Sequence, residues 1–234
     1  MAHVEAPTYG SMILAGLLLK IGGCGLMRLA TFTGLSFMNS LWLSFLALSL
    51  VLSSIICCVQ SDFKRLVAYS SVSHIIVVVL AILIGSYLGL DSFIIVMLMH
   101  GLSSPILFLL VGISYKLFSS RMLSVYRGLL ISYPFLAVFF SFCFVLSVPV
   151  PPSMAFLAEV QFATSLVSYS YTLSTLVGLF IFMGVLYNLF WLISLFGPHR
   201  LSSFTVYTFS CDVRELVRLF FIGLISLLLI LVFF

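Results

Sequence analysis

Four ionisable side chains, Lys20, His74, His100 and Glu159, each stand inside an apolar stretch long enough to cross a membrane. A charge at the centre of a bilayer costs roughly 2.5–3.5 kcal/mol even on lenient insertion scales, so such residues normally face a polar interior and mark a route for ions or protons. An amine, two imidazoles and a carboxyl are also groups that can take up and release a proton, and histidine can relay one in either direction. The chemistry to which they point is conduction of protons or cations within a membrane.

The surroundings of each residue sharpen that reading. Lys20 is followed by Gly22, Gly23 and Gly25, which strip bulk from the helix surface and leave space for a neighbouring helix or for water. The alternative is a lysine that snorkels to the interface, although Arg28 already marks one end of its stretch. Ser70, Ser73 and His74 fall on one helical face at spacings of three and four. A hydroxyl stripe ending in imidazole can hold ordered water; a histidine bonded to a neighbouring carbonyl is the plainer alternative. Lys64 and Arg65, just before this stripe, read mainly as interfacial topology determinants. His100, Ser103 and Ser104 repeat the device, and Pro105 deprives the Gly101 carbonyl of its helical donor. A freed carbonyl beside a histidine is a water-binding feature, tolerated in membranes only where the backbone lines protein or a polar cavity. Glu159 follows Pro149, Pro151 and Pro152 and has Gln161 nearby. A helix broken near the midplane beside an acidic residue is a common ion-site construction in secondary transporters. An ion pair with another subunit is the alternative for this carboxyl.

The elements that must position these groups are membrane helices. Ten basic and six acidic residues in 234, with 63% hydrophobic residues and a mean hydropathy of +1.35, exclude a soluble globular domain. The chain is predicted to be an all-α, polytopic transmembrane bundle. Apolar windows run over 10–29, 41–60, 66–87, 92–115, 129–171, 173–196 and 216–234. The window 129–171 is too long for one straight span and is broken by its prolines. Positive charge collects in short loops on one side of a membrane. With one discontinuous crossing in 129–171, the loops holding Lys64 and Arg65, Lys116 to Arg127, and Arg200 to Arg218 share a side, and Asp91 lies on the other. That arrangement gives seven crossings, with the amino terminus on the positive side and the carboxyl terminus opposite. The five cysteines lack paired C-x-x-C spacing and read as packing residues. No phosphate-binding glycine loop, metal-spaced Cys/His set or nucleophile with a nearby base is present in the sequence, and the thinly spread net charge of +4 does not suggest nucleic acid.

Several runs carry a family resemblance. His3-Val4-Glu5-Ala6-Pro7, Gly10-Ser11-Met12, Leu17 to Gly23, Ser61 to His74, Met99 to Ser104, then Pro151-Pro152 and Ala158-Glu159 stand in the order and register of the subunit 4 family of mitochondrial NADH:ubiquinone oxidoreductase, respiratory complex I. The chain resembles the carboxyl-terminal part of that antiporter-like family. The resemblance implies two inverted five-helix repeats in full-length members, each offering a proton half-channel. Residues 1–35 are then the equivalent of the eighth helix, 36–197 the second repeat with a helix broken near 149–152, and 198–234 a connecting loop and the final transmembrane helix. By the same resemblance Lys20 is the lysine of the eighth helix, His74 and His100 are connecting histidines, and Glu159 is the terminal acidic residue. Ser70, Ser73, Ser103, Ser104 and Glu5 are supporting polar groups.

The implied role is proton translocation coupled to NADH:ubiquinone oxidoreduction, with no redox centre in this chain. NADH, flavin, iron–sulfur clusters and ubiquinone would be held elsewhere in the complex. Expected partners are other membrane-arm subunits, lipids and a separate polypeptide supplying the first repeat, because Met1 stands where full-length members continue upstream. The expected location is the mitochondrial inner membrane, with the amino terminus on the matrix side and the carboxyl terminus on the intermembrane-space side. Pro105 departs from many members, and His199 has no assigned role. Two rival roles are an autonomous Mrp-type cation/proton antiporter subunit and a structural remnant of the membrane arm.

Overall fold

Nothing in the composition can hydrogen-bond a backbone to lipid, so each apolar window must satisfy its own amides as helix. The computed structural model describes residues 2–33, 40–129, 133–147 and 153–197. A short helix α1 (Ala2–Glu5) leads into α2 (Thr8–Ile13), a π-helical turn over Leu14–Leu18 and α3 (Leu19–Thr33), which together form one span. There follow α4 (Ser40–Val59), α5 (Phe63–Ile84), α6 (Tyr87–Phe118), α7 (Pro134–Ser147), α8 (Met154–Tyr169) and α9 (Tyr171–Phe196).

Among the described residues, five helical segments are long and apolar enough to cross a membrane: Thr8–Phe32, Leu41–Val59, Phe63–Ile84, Tyr87–Phe118 and Tyr171–Phe196. Helices α7 and α8 have 14 and 16 residues, about 21 and 24 Å at 1.5 Å per residue, and neither alone spans a hydrocarbon core of about 30 Å. Both pack along the 32-residue α6, as the two halves of one discontinuous crossing. The break falls between Ser147 and Met154; Pro149, Pro151 and Pro152 lie outside the described residues, as do His199, Cys211 and the expected last crossing at 216–234.

Local chemistry sets the joints. Helix α5 stops at Gly85, whose φ of 66° is a left-handed conformation cheap only for glycine. Ser86 then caps α6 by accepting the Gly89 amide at 3.1 Å. At the opposite end of this helix pair, Ser61–Asp62 and Arg121–Leu123 join as a short antiparallel bridge. The Phe63 amide donates to the Arg121 carbonyl at 3.0 Å, and the Leu123 amide donates to Ser61 at 2.9 Å.

Two apolar clusters fill the interior. One gathers Phe63, Tyr126, Phe140, Phe144 and Trp191 near the arginine- and lysine-bearing loops. The other joins Leu50, Val77, Phe93, Phe162 and Phe180. On α5 and α6 the residues between these clusters are the polar ones, from Ser70 to His74 and from His100 to Ser104. Two well-packed ends therefore bracket a polar middle.

Candidate functional site

The π-helical turn ends two residues before Lys20, and its Gly16 packs against α6 at Pro105. A Cβ on Gly16 would lie 2.8 Å from Pro105 Cγ and 3.6 Å from the Gly101 carbonyl oxygen. The carbonyl that loses its helical donor to Pro105 is thus covered by the first span, where the sequence suggested water. Gly101 in turn lets the lysine stem pass: a Cβ there would stand 3.2 Å from Lys20 Cε. These close approaches deliver Lys20 Nζ to 2.5 Å from His100 Nδ1. A contact this short needs a proton on one partner and a lone pair on the other. Either the ammonium donates to a neutral ring, or the ring N–H donates to a neutral amine, and the two states differ by one proton moved along the contact.

The His74 and His100 rings lie 5.2 Å apart, centroid to centroid, inclined at 39°. His74 also meets the edge of Phe180 at 6.5 Å. Two cavities, each with room for about one water molecule, meet at this pair and share His74, His100, Ser103 and Ser147. One extends past Val96, Met99 and Ala155 to Glu159, which is 8% exposed. Lys20 lines neither cavity and reaches His100 from the other flank. The arrangement is a direct Lys20–His100 link followed by a wettable gap from the two imidazoles to a carboxyl.

The supporting residues divide. Ser103 lines both cavities, while Ser70 and Ser104 line only the other one. Ser70, Ser73 and Ser104 donate to carbonyls of their own helices, Val67, Ser70 and His100, at 2.7–2.9 Å. Their protons are therefore committed and only their oxygens are offered to water. Ser73 is buried at 1% exposure and lines neither cavity. Glu5 is exposed and lines neither cavity.

Three polar residues of the site went unnoticed in the sequence. Ser147, Tyr187 and Asn188 line the cavity that leads away from Glu159. Asn188 had a signal, being the only amide or charged side chain in the apolar window 173–196. Lys64 differs from a plain topology marker: it is 2% exposed and its Nζ donates to the Ala6 carbonyl at 2.5 Å. Arg121 donates to the Val4 carbonyl at 3.4 Å, so two cations hold the α1 segment. Arg65 is half exposed and paired with Asp62 at 3.1 Å.

Residues 1–187 match the family described as NADH:quinone oxidoreductase/Mrp antiporter, transmembrane. The chain belongs to this family. All four intramembrane groups lie within the matched residues. Among relatives, NADH-ubiquinone oxidoreductase chain 4 of Ceratitis capitata is 37% identical over 223 residues, which is 94% of this chain and 49% of the relative. The chain thus spans about half the length of the curated relatives it matches. Respiratory complex I from Thermus thermophilus shares the family fold, with a TM-score of 0.76 at 24% identity over 90% of this chain and 44% of the matched chain. The Mrp complex from Dietzia sp. DQ12-45-1b does so with a TM-score of 0.77 at 19% identity, over 85% of this chain and 38% of the matched one. Family membership and bundle architecture therefore agree with the polytopic helical reading.

Proposed function

We propose that the chain is a membrane-arm subunit of respiratory complex I in the mitochondrial inner membrane, where it forms part of a proton path. The observation that carries this reading is the Lys20–His100 contact continued by a cavity to Glu159. Lys20 holds a proton in the membrane interior and passes it to His100. His74 and His100 hand it through water beside Ser103 and Ser147 to Glu159, the last protonatable group of this half. Each proton moved against the field costs about 2.3 kcal/mol per 100 mV, so charge changes elsewhere in the complex must drive the transfers. NADH, flavin, iron–sulfur clusters and ubiquinone belong to other subunits in this reading.

Residues 1–35 serve as the equivalent of the eighth family helix, 36–197 as the second repeat and 198–234 as connecting loop and final helix. The amino terminus lies on the matrix side and the carboxyl terminus on the intermembrane-space side. Other membrane-arm subunits surround the chain, and a separate polypeptide supplies the first repeat. Support for such a companion comes from the first span, where Leu17, Ile21, Leu29 and Phe32 are all exposed. Mass spectrometry of the purified native complex tests the assignment; recovery without respiratory subunits overturns it.

The path is tested by Glu159→Gln and Lys20→Met in sealed membranes containing the assembled complex. Each variant is expected to lose roughly tenfold or more of NADH-driven proton uptake, because a missing protonatable group breaks the relay. Wild-type pumping in both variants would sink the proposed path. A second reading, an autonomous cation/proton antiporter subunit, draws on the Mrp members of the family. It requires ion exchange by the chain reconstituted alone, whereas the respiratory reading requires the complex.

A further inference from the structure

The Lys20–histidine–Glu159 path uses one of the two cavities that meet at His74 and His100. The other runs in the opposite direction along α5 and α6, past Ser70, Ser104 and Leu107 toward the end that bears Lys64 and Arg121. Its far wall comes from two further helices, with Phe144 and Ser147 on α7 and Tyr187 and Asn188 on α9. Four helices thus contribute a hydroxyl or amide to a passage that the path to Glu159 does not need.

Asn188 is the residue to be explained. It is 3% exposed, and its Nδ2 donates to the Gly184 carbonyl at 2.8 Å. A carboxamide taken out of water is costly unless it is hydrogen-bonded. One of its donors is committed within α9 and the amide also hydrogen-bonds the Tyr187 hydroxyl beside it, while its placement on the cavity wall offers what remains of the group to water.

The passage does not run open to the loops. Phe144, on its wall, stacks on Trp191 at 5.8 Å and 18° and on Phe63 at 6.1 Å and 28°. Phe63 and Trp191 are themselves stacked at 4.7 Å. Three rings therefore stand between the polar cavity and the Ser61–Asp62 junction with Arg121–Leu123. Apolar constrictions of this kind conduct only when they wet.

We infer that the histidine pair is a three-way junction, with a third proton arm wetted through Asn188 and gated by the Phe63–Phe144–Trp191 stack at the Lys64 end. Its two functions separate cleanly. Asn188 orders the water that reaches His74 and His100, and Phe144 keeps that water from joining the loop side except during turnover. The arm lets the histidines exchange a proton with the Lys64 side directly, without passing through Lys20. The inference rests on the histidine–Glu159 path proposed above.

The experiment uses the intact complex in sealed inner-membrane vesicles, comparing Asn188→Ala, Asn188→Ser, Phe144→Ala and Glu159→Gln at equal amounts of assembled complex. Asn188→Ala is expected to lose roughly half or more of the protons moved per electron pair, and Asn188→Ser to retain most of them because it keeps a hydrogen-bonding group. Equal loss in both means packing alone and overturns the arm. Phe144→Ala is expected to collapse an imposed pH gradient about threefold faster without substrate, because it thins the apolar constriction. That leak readout stands on its own where the Asn188 variants do not assemble, and an unchanged leak overturns the gate. If Glu159→Gln stops pumping while the Asn188 and Phe144 variants behave as wild type, the third arm falls and the Glu159 path stands. If Glu159→Gln pumps normally, the path itself fails.

Discussion

Ser103 and Ser104 are neighbours in sequence, yet their surroundings assign them different weights. Ser104 gives its proton to the His100 carbonyl and is almost fully buried, whereas Ser103 lines both cavities. Ser104→Ala is expected to leave pumping within about twofold of wild type, since a hydroxyl bonded back to its own helix adds little. Ser103→Ala should slow proton transfer several-fold, read as proton uptake per NADH oxidised in the assembled complex. Equal behaviour of the two variants would remove Ser103 from the relay. At this scale the sequence was most legible where an ionisable group stood deep in an apolar window, as for Lys20 and His100. It was least legible where a polar residue carries no charge. Asn188 stood alone in its window, but an uncharged amide among serines and tyrosines does not announce a cavity until four helices are brought together. The burial of Lys64 was equally hidden, because its partner is the main-chain carbonyl of Ala6, fifty-eight positions away.

The elements that aim Lys20 are the π-helical turn and α6 with its internal Pro105. Pro105 costs α6 a hydrogen bond, and the first span packs into the result through Gly16. Gly16→Ala would press a methyl to 2.8 Å from Pro105 Cγ, and overpacking of this kind typically costs about 1–3 kcal/mol. A lowered unfolding temperature of the complex checks it. Gly101→Ala is subtler, because the new methyl would meet Lys20 Cε at 3.2 Å and move the amine by a few tenths of an ångström. Pumping is expected to fall while the complex assembles normally; unchanged pumping would mean that the Lys20–His100 separation is not critical. The broken crossing was readable from three prolines within one overlong window, and the hairpin at Gly85 and Ser86 from ordinary capping residues. The π-helical turn was not readable, since Leu-Ala-Gly-Leu-Leu is also an unremarkable α-helical sequence and the contact of Gly16 with Pro105 lies on another helix.

Among the described spans the first is the least enclosed, with 11% of its 18-residue apolar stretch buried against 61% for that of α6. Cys24 sits on its exposed side. An apolar maleimide is expected to label Cys24 readily in the detergent-solubilised chain and several-fold more slowly in the native complex, where the companion proposed above would cover that face; the Cys24→Ser variant gives the background. Equal labelling would leave lipid as the only neighbour there. Helices α5 and α6 present the opposite case. They are tied at one end through Gly85 and Ser86, and at the other by main-chain bonds between Ser61–Phe63 and Arg121–Leu123. Lys64 and Arg121 add the amino-terminal segment to that second tie. A pair of rods fastened at both ends makes a stator, and displacement during a working cycle has to be carried by whatever abuts it. In the gate inferred above, α7 and α9 bring Phe144 and Trp191 against Phe63, which stands at the tied end of α5. A valve so built would have two leaves and one post.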